Sequence, residues 1–249
     1  MTPTSHHLTP LIAVVLLAGC ATATHTSAHI AAPTSVPTPQ SAAPSPTATP
    51  TPTATTAASS PAASPTPAVP APPAAPVYTF PVRGCRVSYG HVHHDYPATD
   101  IFAPRGCTFV AVTDGRIDQI TRVDTWSSTT NAGASRGGLS VSIVGRDGVR
   151  YYGSHLSRIA PGLLPGRPVH AGDVLGLVGD SGDARGVGTH VHFGISWPSA
   201  PQAWWVRRGE LYPWPYLDSW TGGGQKSPAP AVAVLRQQRG RLPPCTVHC

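Results

Sequence analysis

The first third of the chain carries no charged side chain. In a sequence of 249 residues, no Asp, Glu, Lys or Arg precedes Arg83, and 17 of the 30 prolines lie between Pro3 and Pro81. From residue 31 to residue 76, 43 of 46 residues are Pro, Ala, Thr or Ser. Such a segment has little apolar surface to bury and cannot form ion pairs, so it does not build a packed core. Folding is therefore confined to about 140–165 residues, enough for one domain.

The N-terminus has the features of an export signal. An apolar run over residues 11–19 ends directly before Cys20. Nine helical residues rise about 14 Å, too short for a hydrocarbon core of about 30 Å but suited to a signal peptide. Leu17-Ala18-Gly19-Cys20 resembles the lipobox of bacterial lipoproteins, which implies that Cys20 is acylated and anchors the chain to the membrane.

These features predict the location of the protein. We expect a lipoprotein-type signal peptide over residues 1–20, a tether over residues 21–76, and a protein held at the outer face of the membrane in the cell envelope. Cleaved secretion and a retained membrane anchor are the alternatives.

The remaining cysteines fit an exported protein. If Cys20 carries lipid, Cys85, Cys107, Cys245 and Cys249 remain. An even number of cysteines in an oxidising compartment predicts two disulfides. Three pairings are possible, and the local pairs Cys85–Cys107 and Cys245–Cys249 are the simplest. The role of the second pair is left open.

The net charge of +6 is unevenly distributed. Residues 77–221 contain 13 Arg and 11 acidic residues, whereas residues 222–249 add four basic residues and no acid. We therefore expect a folded domain over residues 77–221 and a basic, flexible tail over residues 222–249. No helix–turn–helix, zinc-finger or aromatic RNA motif accompanies the basic residues, so nucleic acid is not an expected partner. A monomer is expected.

Alternating apolar residues predict an all-β domain. Short runs with a period of two, separated by glycine turns, read as strands over residues 108–112, 117–123, 139–144, 149–156, 174–178 and 189–196. No helical pattern exceeds two turns. The polar, glycine-rich residues 124–138 form either a mobile surface loop or a substrate wall. Five of the six tryptophans lie within residues 197–220, where packing is favoured over stacking on wall sugars.

Histidines are concentrated in the predicted domain. Seven of the twelve lie between His91 and His192. In the strand over residues 189–196, His190 and His192 share one face and lie about 7 Å apart, close enough to serve one metal site. An isolated His-x-His is more often a pair of ordinary surface or core histidines. Catalytic zinc, however, takes three protein ligands of the His, Asp or Glu type, and the other histidine-rich segments offer such ligands.

The segments HHDYPATDIFAPRG, FVAVTDGRI, YYGSHLS and VHAGDVLGLVGDSGDARGVGTHVHF occur in this order. Together they closely resemble the lysostaphin/LytM-type zinc endopeptidases, over roughly residues 81–196. The resemblance implies an antiparallel β-sheet domain of the LytM/duplicated hybrid motif type, with one Zn²⁺ in a groove. It also implies hydrolysis of peptide bonds in bacterial cell-wall peptidoglycan. The sequence does not identify the bond, the cell whose wall is cut, or any activator.

The resemblance assigns roles to five side chains. It implies that His94, Asp100 and His192 bind the metal, and that His155 and His190 are catalytic. Two positions depart from the family pattern. Five residues separate His94 from Asp100 where the family usually has three, so His93 is an alternative first ligand. Gly194 stands where many relatives have a Glu that is not a ligand.

Two other functions compete with this interpretation. The spacing from His93 to Asp100 also matches the D-Ala-D-Ala carboxypeptidase/dipeptidase group, but that group needs a Glu shortly before its last His. The only glutamate, Glu210, lies downstream of the candidate histidines. A catalytically silent LytM-like wall-binding protein or amidase activator is the main alternative. Silent relatives tend to have lost metal ligands, whereas this chain has a full set.

Overall fold

The computed structural model describes residues 74–245. Predictions for the signal peptide, Cys20, most of the tether and Cys249 lie outside these residues. Two antiparallel sheets organise the described part of the chain. The first has the order β1 (Val82–Arg83), β4 (Thr108–Val110), β10 (Val174–Leu177), β8 (Arg158–Ile159). The second has the order β2 (Ser88–Tyr89), β3 (Thr99–Phe102), β11 (His190–Ser196), β7 (Arg150–Ser154), β6 (Ser140–Gly145), β5 (Gly115–Thr121), β9 (Pro168–Val169).

The predicted all-β architecture is confirmed, and each of the six predicted runs overlaps a strand. Strand β11 lies inside the seven-stranded sheet, hydrogen-bonded to β3 on one side and β7 on the other. Its apolar residues Val191, Phe193 and Ile195 are completely buried in the core. Because side chains alternate along a strand, His190 and His192 face the opposite way.

The register of the sheet brings predicted site residues together. His192 lies opposite Asp100 on β3 and opposite Ser154 on β7. Directly opposed residues of antiparallel strands have Cβ atoms about 4.5–5.5 Å apart. The pairing of β3 with β11 therefore places Asp100 beside His192 without any help from a loop.

The segment from residue 222, expected as a flexible tail, instead contains a helix of three turns. Three helices follow β11: α1 (Trp204–Arg207), α2 (Trp214–Thr221) and α3 (Ala229–Arg239). Helix α3 buries Val232, and Arg239 forms an ion pair with Glu210 at 2.6 Å. Because α3 buries only a narrow stripe and begins among prolines, its apolar pattern is weak in the sequence.

The tryptophans serve mainly as packing residues. Trp197 and Trp220 are buried, and the Trp220 ring stacks on Tyr78 with ring centroids 5.3 Å apart. The indole nitrogens of Trp197 and Trp205 donate to the carbonyls of Arg241 and Pro243. These contacts attach the C-terminal segment to the domain. Within residues 74–245, no helix combines the length and the hydropathy needed to cross a bilayer.

The predicted disulfide between Cys85 and Cys107 is present. It closes a segment that contains β2 and β3, and therefore also His93 and Asp100. Cys245 is also disulfide-bonded. The predicted pairing of Cys245 with Cys249 stays a prediction, because Cys249 lies outside the described residues.

Removing the Cys85–Cys107 bond is expected to destabilise the domain. The bond spans 22 residues, and closing a loop of this size contributes roughly 3 kcal/mol through the entropy of the unfolded chain. In urea unfolding followed by tryptophan fluorescence, a Cys85→Ala/Cys107→Ala variant should lose about that free energy of unfolding. Because this variant lacks the Cys85–Cys107 bond, any further loss of stability when reductant is added measures the contribution of the bond at Cys245. Equal midpoints for the parent and the variant would contradict the prediction.

Candidate metal centre

A cleft of about 820 Å³ opens over the histidine face of β11. His190 and His192 lie in its floor, together with residues from three other segments: His93, Asp100 and His155. One wall is formed by residues 132–138, and another by Trp204 and Arg208 at the end of α1. The strand alternation and the β3–β11 register therefore converge on one concave site.

Three of these side chains form a compact group of potential metal ligands. Asp100 Oδ1 lies 3.1 Å from His192 Nδ1 and 3.8 Å from His93 Nε2. The three ligand atoms all lie within 4.8 Å of one another. Both histidines are buried, and the carboxylate is 23% exposed. Nitrogen and oxygen donors at these separations suit a single ion with bonds of about 2 Å.

The structure brings His93, and not His94, to this group. The His94 side chain is 72% exposed, and its Nδ1 lies 3.2 Å from Asp95 Oδ2. His93 instead turns inward, with Nδ1 2.9 Å from the Tyr96 carbonyl. The two histidines are consecutive in a segment without strand structure, so no periodicity indicates which of them faces the cleft. Of the two first ligands that the sequence left open, the structure thus brings His93 to Asp100 and His192 and leaves His94 outside the group.

Each buried histidine of the site has one ring nitrogen against a backbone carbonyl. The pairs are His93–Tyr96, His155–Ser181, His190–Gly188 and His192–Arg208, at 2.7–3.0 Å. A carbonyl only accepts, so that nitrogen carries the proton and the other nitrogen of a neutral ring presents a lone pair. In His93 and His192 the second nitrogen is the one that faces Asp100. Such support by hydrogen bonds is usual for metal-binding histidines.

The electrostatics favour the protonation states that bind a cation. Burial is the main cause that lowers the pKa of His93 to about 4 and that of His155 to about 3, so both rings are neutral at pH 7. Burial opposes ionisation of Asp100, but the contact with His192 and the nearby His190 and His93 outweigh it. The pKa of Asp100 therefore lies below its ordinary value. Neutral imidazoles and an ionised carboxylate are the forms that coordinate a divalent metal.

The two histidines predicted to be catalytic lie beside the ligand group. The rings of His155 and His190 have centroids 4.8 Å apart, and His190 Nε2 lies 3.9 Å from Asp100 Oδ1. His155 has a φ of +61°, which is uncommon for a residue other than glycine. Its backbone N–H donates to the Gly137 carbonyl at 2.9 Å. This tie holds the strained residue against the cleft wall.

The wall over residues 132–138 is fixed to the loop that precedes β11. The Asp124 carboxylate accepts from the backbone N–H of Gly182 at 2.8 Å and from Arg185. Asp183 donates its backbone N–H to the Arg136 carbonyl at 3.0 Å. Gly182 has a φ of +69°, and a Cβ at this position would overlap that same carbonyl. Of the two alternatives for this loop, the structure shows a cleft wall.

Two contributors to the site were missed in the sequence. Tyr96 places its hydroxyl 3.3 Å from His192 Nε2, and the Arg208 carbonyl lies 3.0 Å from the same nitrogen. Tyr96 lies within the segment HHDYPATDIFAPRG but had no assigned role, and Arg208 belongs to no recognisable motif. Gly194 is the signal that could have revealed the second contact, because a Cβ there would overlap the Arg208 carbonyl. Any side chain at position 194 would therefore displace this carbonyl.

The antiparallel sheet, the cleft over β11 and the His93–Asp100–His192 group together define a domain of the metallopeptidase type. Residues 94–203 match the sequence model of Peptidase family M23. This match supports a LytM-type metallopeptidase domain, and the resemblance to lysostaphin/LytM-type enzymes is confirmed. The matched region begins one residue after His93.

Three solved structures illustrate the likeness. A candidate glycyl-glycine endopeptidase LytM from Ruminococcus gnavus is 25% identical, with a TM-score of 0.45 and coverage of 61% of this chain and 63% of that chain. The catalytic domain of lysostaphin from Staphylococcus simulans is 23% identical, with a TM-score of 0.38 and coverage of 57% and 90%. A zinc-containing peptidase from Vibrio cholerae is 19% identical, with a TM-score of 0.35 and coverage of 48% and 36%.

The present chain spans less than two thirds of the length of the first of these structures. The comparison with curated proteins gives no match.

Replacing His93 and His94 separately tests the ligand assignment. Loss of a residue that only supports a ligand through a hydrogen bond lowers metal affinity roughly 10–100-fold. Because His93→Ala removes a ligand itself, it should weaken zinc binding by more than this. His94→Ala should bind zinc as the parent does, since its ring is exposed and lies outside the group of potential ligands. Competition with a chromophoric chelator measures both affinities. Loss of affinity in His94→Ala alone would restore His94 as the ligand.

Adding one methyl group at Gly194 tests the support of His192. In Gly194→Ala the new Cβ must displace the Arg208 carbonyl, which removes the acceptor for His192 Nε2. We expect zinc affinity to fall about 10–100-fold and the free energy of unfolding to fall by about 1–3 kcal/mol. Gly222→Ala is the matched control, because its Cβ would meet only Ser219 O, at 3.7 Å. Equal zinc affinities in the two variants would contradict the prediction.

Proposed function

We propose that this protein is a zinc-dependent endopeptidase that hydrolyses peptide bonds in bacterial cell-wall peptidoglycan. The observation that carries the proposal is the convergence of His93, Asp100 and His192 in a cleft that also contains His155 and His190. The match of residues 94–203 to the sequence model of Peptidase family M23 supports peptide hydrolysis. The resemblance of its motifs to those of lysostaphin/LytM-type enzymes supports a cell-wall substrate.

The residues of the metal group fit zinc. Two neutral imidazoles and one ionised carboxylate are a common set for catalytic zinc, which keeps a fourth position open. The partial exposure of Asp100 shows that the group faces the cleft, where a substrate can approach. When bound, zinc polarises a scissile carbonyl and activates water for attack.

The side chains of the protein have separate roles in metal binding and in proton transfer. His93 Nε2, Asp100 Oδ1 and His192 Nδ1 would hold the metal. In His155 and His190, Nδ1 donates to a backbone carbonyl, so Nε2 is the nitrogen that can accept a proton. One of these rings can take a proton during attack and return it to the leaving amine. A ring that carries a proton at Nε2 can stabilise negative charge on the carbonyl oxygen.

We also propose that the protein acts at the cell envelope, anchored through lipidated Cys20. The support is the sequence Leu17-Ala18-Gly19-Cys20 and the proline-rich segment that follows. A tether of this composition lets an anchored domain reach wall polymers at a distance. No observation favours the silent relative, since the described residues retain a complete ligand set.

Chelation and three substitutions test the activity on purified peptidoglycan. Removal of the metal should abolish release of soluble wall fragments, and added Zn²⁺ should restore it. His192→Ala should lose zinc and activity together. His155→Ala and His190→Ala should retain nearly stoichiometric zinc but turn over about 10²-fold more slowly or worse, because proton transfer or carbonyl stabilisation is lost.

His170→Ala serves as the control for these variants, because its side chain is 80% exposed and lies outside the cleft. Zinc is quantified beside the rate for every variant. Undiminished release in the presence of chelator, or equal rates for all variants, would contradict the proposed function.

A further inference from the structure

Arg208 presents its guanidinium beside the candidate metal centre. It follows α1 directly, and its Cζ lies 4.2 Å from the ring centroid of Tyr96 and 4.7 Å from that of Trp204. Its backbone carbonyl accepts from His192 Nε2. Tyr96, Trp204 and Arg208 all line the cleft. The position of this cation is therefore set both by its own backbone and by two aromatic rings.

This arrangement suits recognition of a carboxylate. Aromatic rings pack against the faces of a guanidinium, whereas its N–H donors point outward in the plane of the group. That planar fork matches the two oxygens of a carboxylate. Burial lowers the pKa of the Arg208 guanidinium, while Tyr96 and, more weakly, Asp95 oppose this shift. Arginine remains a cation at neutral pH despite such a shift.

The three other arginines that line the cleft serve its internal structure. Arg136 donates to Asn131 Oδ1 at 3.1 Å. Arg150 and Arg207 are buried, and both donate to the same Asp118 carboxylate oxygen, at 2.7 Å and 2.5 Å. Arg207 also donates to Gln119. Their hydrogen bonds hold β5, β7 and α1 together beneath the cleft. Arg208 differs in being only partly buried at the cleft surface.

The opposite side of the metal group has a different character. Phe102 and Val187 line the cleft there, with the Phe102 ring 5.2 Å from that of His190. Their side chains are 43% and 57% exposed, and neither carries a charge. A bound peptide thus meets an apolar wall next to His190 and a cationic, aromatic wall next to His192. Such a polarity fixes the direction in which an anionic peptide can lie.

We propose that Arg208 binds a carboxylate of the peptide substrate. The protein then prefers cross-linked wall peptides with free carboxylates to the same peptides whose carboxylates are amidated. The inference rests on the proposed function and names the substrate class of the same site. Arg208 is a specificity-determining residue here, because it contacts the substrate away from the bond that is cut.

Paired substrates provide the test. Two synthetic cross-linked wall peptides of identical sequence are compared, one with free carboxylates and one with the same groups converted to carboxamides. For the zinc-loaded parent, kcat/KM should be about 10-fold or more higher on the free acid, the scale of a hydrogen bond to a charged group. Arg208→Gln should bring the ratio close to one, mainly by raising KM for the acid, since this contact is made before and during reaction.

Two further variants separate recognition from packing. Arg208→Lys keeps the charge without the planar fork, so it should retain part of the preference. Arg116→Gln is the control, because Arg116 is exposed and donates to the Gly166 carbonyl outside the cleft; its ratio should equal that of the parent. Zinc content and thermal unfolding establish that each variant is folded.

The outcomes are distinguishable. A parent that cleaves both peptides equally well overturns the inference and leaves the proposed function intact, even if Arg208→Gln does not fold. Equal loss of activity on both peptides in Arg208→Gln shows a packing role only and also overturns it. A parent that cleaves neither peptide nor purified peptidoglycan overturns the proposed function itself.

Discussion

The ring of His192 donates through Nε2 to the backbone carbonyl of Arg208, and the geometry of the candidate site depends on this contact and its counterparts in His93, His155 and His190. In each histidine, one ring nitrogen donates to a backbone carbonyl, so the other nitrogen is available to bind a metal or to transfer a proton. Because the acceptors are carbonyls and not side chains, the ring orientations are set by the path of the main chain. A site built in this way needs little reorganisation when a cation binds.

Apolar packing on the sheet offsets the free-energy cost of burying these polar rings. Val191, Phe193 and Ile195 on the reverse face of β11 are completely buried, and each such side chain contributes about 1.5–3 kcal/mol. The rings of His190 and His192 are also buried, but their hydrogen bonds avoid the cost of an unsatisfied polar group. One strand thus supplies the core with its apolar face and the cleft with its polar face.

Sequence patterns predicted those parts of the molecule that follow a period. The alternation over residues 189–196 identified the shared face of His190 and His192, and the sheet confirmed it. No period applies between Gly90 and Ala98, where the structure has no strand, so the choice between His93 and His94 depended on a turn that only the Tyr96 carbonyl reveals. Contacts between distant segments, such as Arg208 with His192, leave no local pattern at all.

The C-terminal helix shows how such distant contacts extend the site. Arg239 of α3 pairs with Glu210, and the backbone N–H of Glu210 donates to the Ile195 carbonyl at 2.9 Å. Burial raises the pKa of Glu210, and the hydrogen bond and charge of Arg239 oppose that rise. The ion pair therefore offsets part of the cost of burying a carboxylate two residues beyond Arg208. Since the carbonyl of Arg208 orients His192, a helix with no residue in the metal group helps to fix the position of a ligand.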